Sequence, residues 1–242
     1  MPSIRPARAT VWLVFAVALL AGFAHGEPAE AGSVFLSGIA MGGGAVNVHV
    51  ESLQHRKFTR TVHQEYDFSC GSAALATLLS YNYGDRVSEQ VVFRSMFAHG
   101  NKPVIERYGF SLLDMKRYLA RHGLPSGGFR TSLNKIRTIG VPGIALINVR
   151  GYHHFVVIEG IDAQSVLLSD PSVGVHAVPI ATFQRQWSRV FFAILTDAIR
   201  ARSGFNRAGQ WAIAPRAPFG LTRYAVDFAT LQQPALLNAN RF

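Results

Sequence analysis

Between Thr59 and Thr196 the chain sorts into two textures, and their order restricts the folds open to it. Segments with helical spacing come first. One begins at Cys70 and runs to about Tyr81, with Ala74, Leu75, Leu78 and Leu79 on one face. A second starts near Ser88 and ends near Gly100. The third has the clearest boundaries: Ser111 with Asp114 three residues on makes a capping box, and Gly123 follows the last turn with Pro125 behind it. A short fourth helix spans Ser132 to Gly140. Strand-like runs then take over, at Gly143 to Val149, Tyr152 to Ile161, Val166 to Ser169, Val173 to Val178 and Val190 to Leu195. Helices first and strands later predict an α+β domain over residues 59–197, with N-terminal helices packed on an antiparallel sheet.

The flanks read differently. Arg5 and Arg8 precede an uncharged apolar run from Ala9 to Ala24, and Ala24-His25-Gly26 puts small residues at the −3 and −1 positions of a signal peptidase site. Residues 1–26 are therefore expected to be a cleaved signal peptide, with Glu27 as the mature start and the periplasm as the destination. The competing reading is an uncleaved anchor, but about 14 apolar residues fall short of the ~20 that span a bilayer. Residues 27–58 form a Gly-rich N-terminal segment, including Gly42-Gly43-Gly44 and the alternating run Val46 to Val50.

The whole chain carries 24 Lys and Arg against 14 Asp and Glu, a net charge of +10. That excess would suit nucleic acid, anionic lipid or an acidic partner. Its placement narrows the choice. Two arginines leave with the signal, and residues 198–242 form a basic extension with six arginines, no lysine and a single acidic residue, Asp227. No nucleic-acid motif accompanies them. A solvated tail, or one resting on a membrane surface, fits better than nucleic-acid binding.

Cys70 is the only cysteine, so neither an intramolecular disulfide nor a four-thiolate metal site can form. An unpaired thiol in an oxidising compartment is either a small buried hydrophobe or a group kept for its reactivity. Its position at a helix start favours reactivity, because unpaired backbone amides and the helix dipole stabilise a thiolate there. Gln64, six residues upstream, could fold back to place an amide donor beside the Cys70 amide and form an oxyanion hole. The base would come from His153 or His154, which open a strand and point to opposite sides of it. Asp170, at a strand end before Pro171, could orient the imidazole.

These residues resemble a known family. Gln64-Glu65-Tyr66-Asp67-Phe68-Ser69-Cys70-Gly71-Ser72-Ala73, then His154-Phe155-Val156-Val157, then Asp170-Pro171-Ser172-Val173-Gly174 look like the three motifs of the double-glycine leader peptidases. Those are papain-like cysteine peptidase domains, found on bacteriocin-exporting ABC transporters and as free-standing relatives. The resemblance implies a papain-like fold, with Cys70 as nucleophile, His154 as general base and acid, Asp170 as orienting residue and Gln64 as oxyanion donor. It thereby selects His154 over His153. The substrate would be a secreted peptide or protein, cut by thiol acyl transfer without cofactor or metal.

Two departures stand out. Many transporter-linked members have Asp directly before the cysteine, where this chain has Ser69. No phosphate-binding Gly-x-x-x-x-Gly-Lys-Ser/Thr loop is present either, so the chain would act alone or beside a separate secretion machine or outer-membrane exporter. Signal-bearing, free-standing relatives resemble the periplasmic peptidase of functional-amyloid secretion systems. The Gly42-Gly43-Gly44 run adds the expectation of self-trimming, against the plainer one of a flexible linker. A metal site from His153, His154 and His176 is disfavoured because neighbouring strand residues face opposite ways. The rival from another class is a leader-binding or chaperone-like module that holds its partner without cutting it.

Overall fold

The computed structural model describes residues 32–36, 46–50 and 52–214. Residues 1–26, with the expected signal peptide, lie outside them, as do Gly42 to Gly44 and the last residues of the basic extension from 215 on. Strands β1 (Gly32–Leu36) and β2 (Val46–Val50) form an antiparallel hairpin in a unit of their own.

In the second unit, serine caps set the helix starts. After α1 (Leu53–Phe58) come α2 (Cys70–Leu78), α3 (Glu89–His99), α4 (Lys102–Tyr108), α5 (Leu112–Arg121) and α6 (Leu133–Ile139). Ser88 accepts from Val91 N–H, Ser132 from Lys135 N–H, and both halves of the Ser111–Asp114 capping box are formed. Helix α2 is buried along its whole length and stops short of Tyr81 as a regular helix. Its last turn, Leu79–Tyr83, widens to π-helical geometry and turns Asn82 inward, where Nδ2 donates to Glu159 Oε2 at 2.8 Å.

The sheet holds β3 (Ser126–Arg130), β4 (Gly143–Val149), β5 (Tyr152–Ile161), β6 (Ser165–Asp170), β7 (Gly174–Pro179) and β8 (Trp187–Ile194). All neighbours are antiparallel, in the order β3-β8-β4-β5-β6-β7. Strand alternation divides the core. Phe155 and Val157 of β5 pack with Leu75, Leu78, Met115 and Leu119 of the N-terminal helices. Val156 and Ile158 face the other way, onto Ile136 and, from helix α7 (Ile180–Gln186), Phe183.

Several elements escape the sequence reading. Helix α4 has its own Asn101 cap and Pro103 in the first turn. Strand β3 contains Gly127 and Gly128, which disfavour strands, yet it pairs fully along β8. The stretch read as a basic tail begins with two helices, α8 (Ala198–Gly204) and α9 (Ala208–Ile213). Between them the Asn206 side chain bonds both the N–H and the C=O of Ile161, filling the irregularity where β5 slips register against β6. A Cβ on Gly160 would collide with Asn206, so only glycine fits there. Arg200 donates to Tyr83 O and Arg202 to Ile139 O, so these two arginines serve the chain's own carbonyls.

Glu159 of β5 is fully buried, which gives the fold a pH-dependent contribution. Burial pushes its carboxyl up to about 7, against the pull of Asn82, Arg60, Ser169 and Gln210 of α9. A carboxyl raised on folding stabilises the fold fully below its ordinary value of 4.5, and that contribution disappears as pH rises through about 7. Glu159→Gln is expected to flatten the pH dependence of the urea midpoint between those values, where the wild type loses up to about 3 kcal/mol. Equal slopes in the two proteins would show that Glu159 is not the titrating group.

Candidate active site

Cys70 is the first residue of α2, and its neighbour explains why the helix can start there. A Cβ on Gly71 would lie 3.0 Å from both Phe110 Cβ and Met115 Cε, so a larger residue would push the first turn off Phe110 and off Met115 of α5. Ser69 at the N-cap makes no capping bond through its side chain, which leaves the first amides of α2 without that partner. Cys70 itself is 5% exposed.

The histidine is placed by a tight hairpin. Arg150 and Gly151 both have positive φ, 53° and 89°, the geometry of a two-residue turn that matches strand twist. That turn sets Asn148 opposite His153 and Ile147 opposite His154. His153 is exposed and His154 is buried. Across the next pair, Ser169 lies opposite Val157, so Asp170 falls beside Val156 and emerges on the same face as His154. His154 Nε2 and Asp170 Oδ1 are 2.8 Å apart.

Asp170 Oδ1 also accepts from Ser172 N–H at 2.8 Å and Ser172 Oγ at 2.6 Å. Burial works against its charge, but the imidazole and the Ser172 bonds outweigh it and hold the carboxyl below the usual range. For His154, burial again opposes the charged form, while Asp170 and then Cys70 favour it and raise the ring to about 9. Nδ1, the ring nitrogen not used by Asp170, is buried without a hydrogen-bond partner.

Gln64 is tied to the same corner. Its backbone N–H donates to Pro171 O at 3.1 Å, linking its loop to the turn after Asp170. One Nε2 proton goes to Tyr66 O at 3.1 Å, while Oε1 is buried without a hydrogen-bond partner. The structure thus brings Cys70, His154, Asp170 and Gln64 into one corner.

Two hollows meet at this corner. One, of about 830 Å³, is lined by Cys70, Tyr108, Leu112 and Leu113; the other, of about 530 Å³, by Gln64, His154, Asp170 and Val173. Asp67 and Tyr152 line both, and the Tyr152 hydroxyl donates to Asp67 O across the divide. The sequence reading misses Tyr152, since nothing local marks a strand-end tyrosine as a bridge. It misses Ser172 as well, although Asp-Pro-Ser is a recognisable side-chain-to-backbone turn. His176 is occupied with Gly174 O, and among the described residues no group of three or more His, Cys, Asp or Glu is placed to hold a metal.

A thiol opening a buried helix, beside an imidazole and carboxylate paired on the adjoining sheet, is the arrangement of papain-like thiol hydrolases. The chain belongs to the peptidase C39 family, a family of cysteine peptidases, whose model matches residues 59–198. It is 38% identical over 177 residues to the probable functional amyloid protease FapD of Pseudomonas aeruginosa, covering 73% of this chain and 75% of that one. Identity to the protein of the same name in Pseudomonas fluorescens is also 38%, over 191 residues, covering 78% and 80%. Among solved structures, a double glycine motif protease from an AMS/PCAT transporter in complex with the leader peptide aligns at 26% identity, over 55% of this chain and 87% of that one, with a TM-score of 0.47. The peptidase domain of Streptococcus ComA, a bi-functional ABC transporter, aligns at 19% identity over 56% and 96%, also with a TM-score of 0.47. The expected family and α+β papain-like fold both hold. Helices α6 and α7 additionally cover the second face of the sheet, because strand alternation makes both of its faces apolar.

Proposed function

We propose that this chain is an exported endopeptidase that cuts a secreted protein or leader for a functional-amyloid export system, at a Gly-Gly site. The observation that carries the reading is the convergence of Cys70, the His154–Asp170 pair and Gln64 at the junction of two hollows large enough for peptide on either side of the cut. The 38% identity to the two FapD proteases supports the functional-amyloid setting. Export rests on the sequence of residues 1–26. Among the described residues no helix is long and apolar enough to cross a membrane.

The steps follow from the geometry. His154 Nδ1, free of other partners, takes the proton of the Cys70 thiol. The thiolate attacks the scissile carbonyl carbon, and the carbonyl oxygen becomes an oxyanion between the Cys70 amide and a Gln64 Nε2 proton. His154 returns its proton to the leaving amine and a thioester remains. Water, activated by the now neutral His154, hydrolyses the thioester and restores the thiol. Asp170 keeps the imidazole oriented throughout and stabilises its charged form.

Gln64→Ala is expected to lower kcat on the order of 100-fold with little change in KM, because the donor acts on charge that develops after binding. The assay is mass-spectrometric cleavage of peptides containing Gly-Gly by the purified protein. Retention of full activity in Gln64→Ala would remove Gln64 from the mechanism. Cleavage only at sites without glycine would remove the Gly-Gly assignment.

A further inference from the structure

Glu89, the first residue of α3, is only 3% exposed and sits against the first turn of α2. Ser72 Oγ lies 2.7 Å from Glu89 Oε1 and 2.8 Å from the Ser69 carbonyl oxygen. A hydroxyl has one proton. Were Glu89 a carboxylate, both neighbours of Ser72 Oγ would be acceptors competing for it, and one of these short contacts would set lone pair against lone pair. A carboxylic acid resolves the count. Glu89 then donates to Ser72 Oγ, and Ser72 donates to Ser69 O. Burial favours that neutral form, and Glu65 adds to it; the nearby Ser72 and Ser69 hydroxyls favour the charged form, with the carboxyl left above its usual range.

The chain of bonds continues to the oxyanion donor. Ser69 Oγ accepts from Tyr66 N–H at 3.1 Å and donates to Tyr66 O at 3.0 Å. Tyr66 O is also the acceptor that holds Gln64 Nε2. One run of hydrogen bonds therefore joins α3 to the turn that flanks Cys70 and, through it, to Gln64. The charge state matters as well as the reach: a carboxylate one turn from the start of α2 would oppose a thiolate at Cys70, and a neutral acid does not.

We propose that Glu89 is a positioning residue of this active site, working as a neutral carboxylic acid that fixes, through Ser72 and Ser69, the turn carrying Cys70 and Gln64. The assignment rests on the roles given above to those two residues. It predicts that Glu89→Leu lowers kcat between about tenfold and a hundredfold with KM little changed, because the donor is misplaced rather than removed. Glu89→Gln, whose amide donates to Ser72 as the acid does, restores turnover to within about threefold of wild type. Ser72→Ala breaks the same chain with Glu89 in place, and it gives the kcat test should Glu89→Leu fail to fold. In a Glu159→Gln background at pH 6, an infrared carboxylic-acid band is present and is lost on adding Glu89→Gln.

Wild-type kcat in both Glu89→Leu and Ser72→Ala, or a Glu89→Gln enzyme as slow as the Leu variant, would overturn the proposal. So would the absence of a band that depends on Glu89. If no variant, wild type included, shows Cys70-dependent cleavage, the peptidase reading fails instead. The positioning is then decided by the infrared band together with hydrogen exchange. Amides from Tyr66 to Ser72 should be protected in wild type and Glu89→Gln and should open in Glu89→Leu; equal protection in all three would sink it.

Discussion

Replacing Cys70 by serine is expected to lower peptide cleavage on the order of 10⁴-fold or more, the scale on which losing a covalent nucleophile acts. The hydroxyl is a much weaker acid than the thiol, so the same imidazole cannot keep it ionised, and the substitution changes one atom in a buried position where little else can move. Substrate affinity, read by fluorescence anisotropy of a labelled peptide, should change less than about threefold, because Cys70 is only one of the many residues lining the two hollows. Cleavage that survives in Cys70→Ser would end the cysteine-peptidase mechanism for this site. Binding in both proteins with cleavage in neither would favour the leader-holding module over the enzyme.

His154→Ala should have an effect of similar size on turnover, and it carries a second signature in stability. The ring is raised from 6.5 to about 9 in the folded chain. A base raised on folding stabilises the fold fully below 6.5, and that stabilisation is lost as pH climbs through about 9. In a Glu159→Gln background the urea midpoint is therefore expected to fall over that interval, and adding His154→Ala removes the fall. Cleavage should decline along the same alkaline limb, since the imidazolium proton is the one delivered to the leaving amine. A midpoint in that background that does not change between pH 6.5 and 9 would contradict the raised ring. The lower end of this window overlaps the one assigned to Glu159, so the Glu159→Gln background is what separates the two groups.

What the sequence shows and what it hides follow from how each signal is encoded. Caps are local: Ser88, Ser111 and Ser132 bond amides three residues away, so their helices begin where the sequence places them. The turn at Arg150-Gly151 is local too, and with it the separation of exposed His153 from buried His154. The elements that stay hidden are held from a distance. Strand β3 exists because β8 pairs with it, despite two glycines. Helices α8 and α9 are short and unremarkable in sequence, and they are held by the Asn206 side chain on Ile161 and the Asn206 N–H on the Glu159 carbonyl oxygen.

The sequence by itself determined the family, the capped helices α3, α5 and α6, the strands β4 to β7, and the residue types able to do thiol chemistry, because each of these is written in spacing and in short-range hydrogen bonds. Tertiary structure decided the rest. Asp170 meets His154 only through the β5–β6 register, and Gln64 is held near both by a bond to Pro171 more than a hundred residues away along the chain. Glu89 reaches Ser72 only because α3 packs on α2. The charge states of His154, Glu89 and Glu159 likewise depend on burial and on partners that no stretch of sequence contains. Those desolvated contacts form only when distant segments pack together, and they set the chemistry that the local pattern merely makes available.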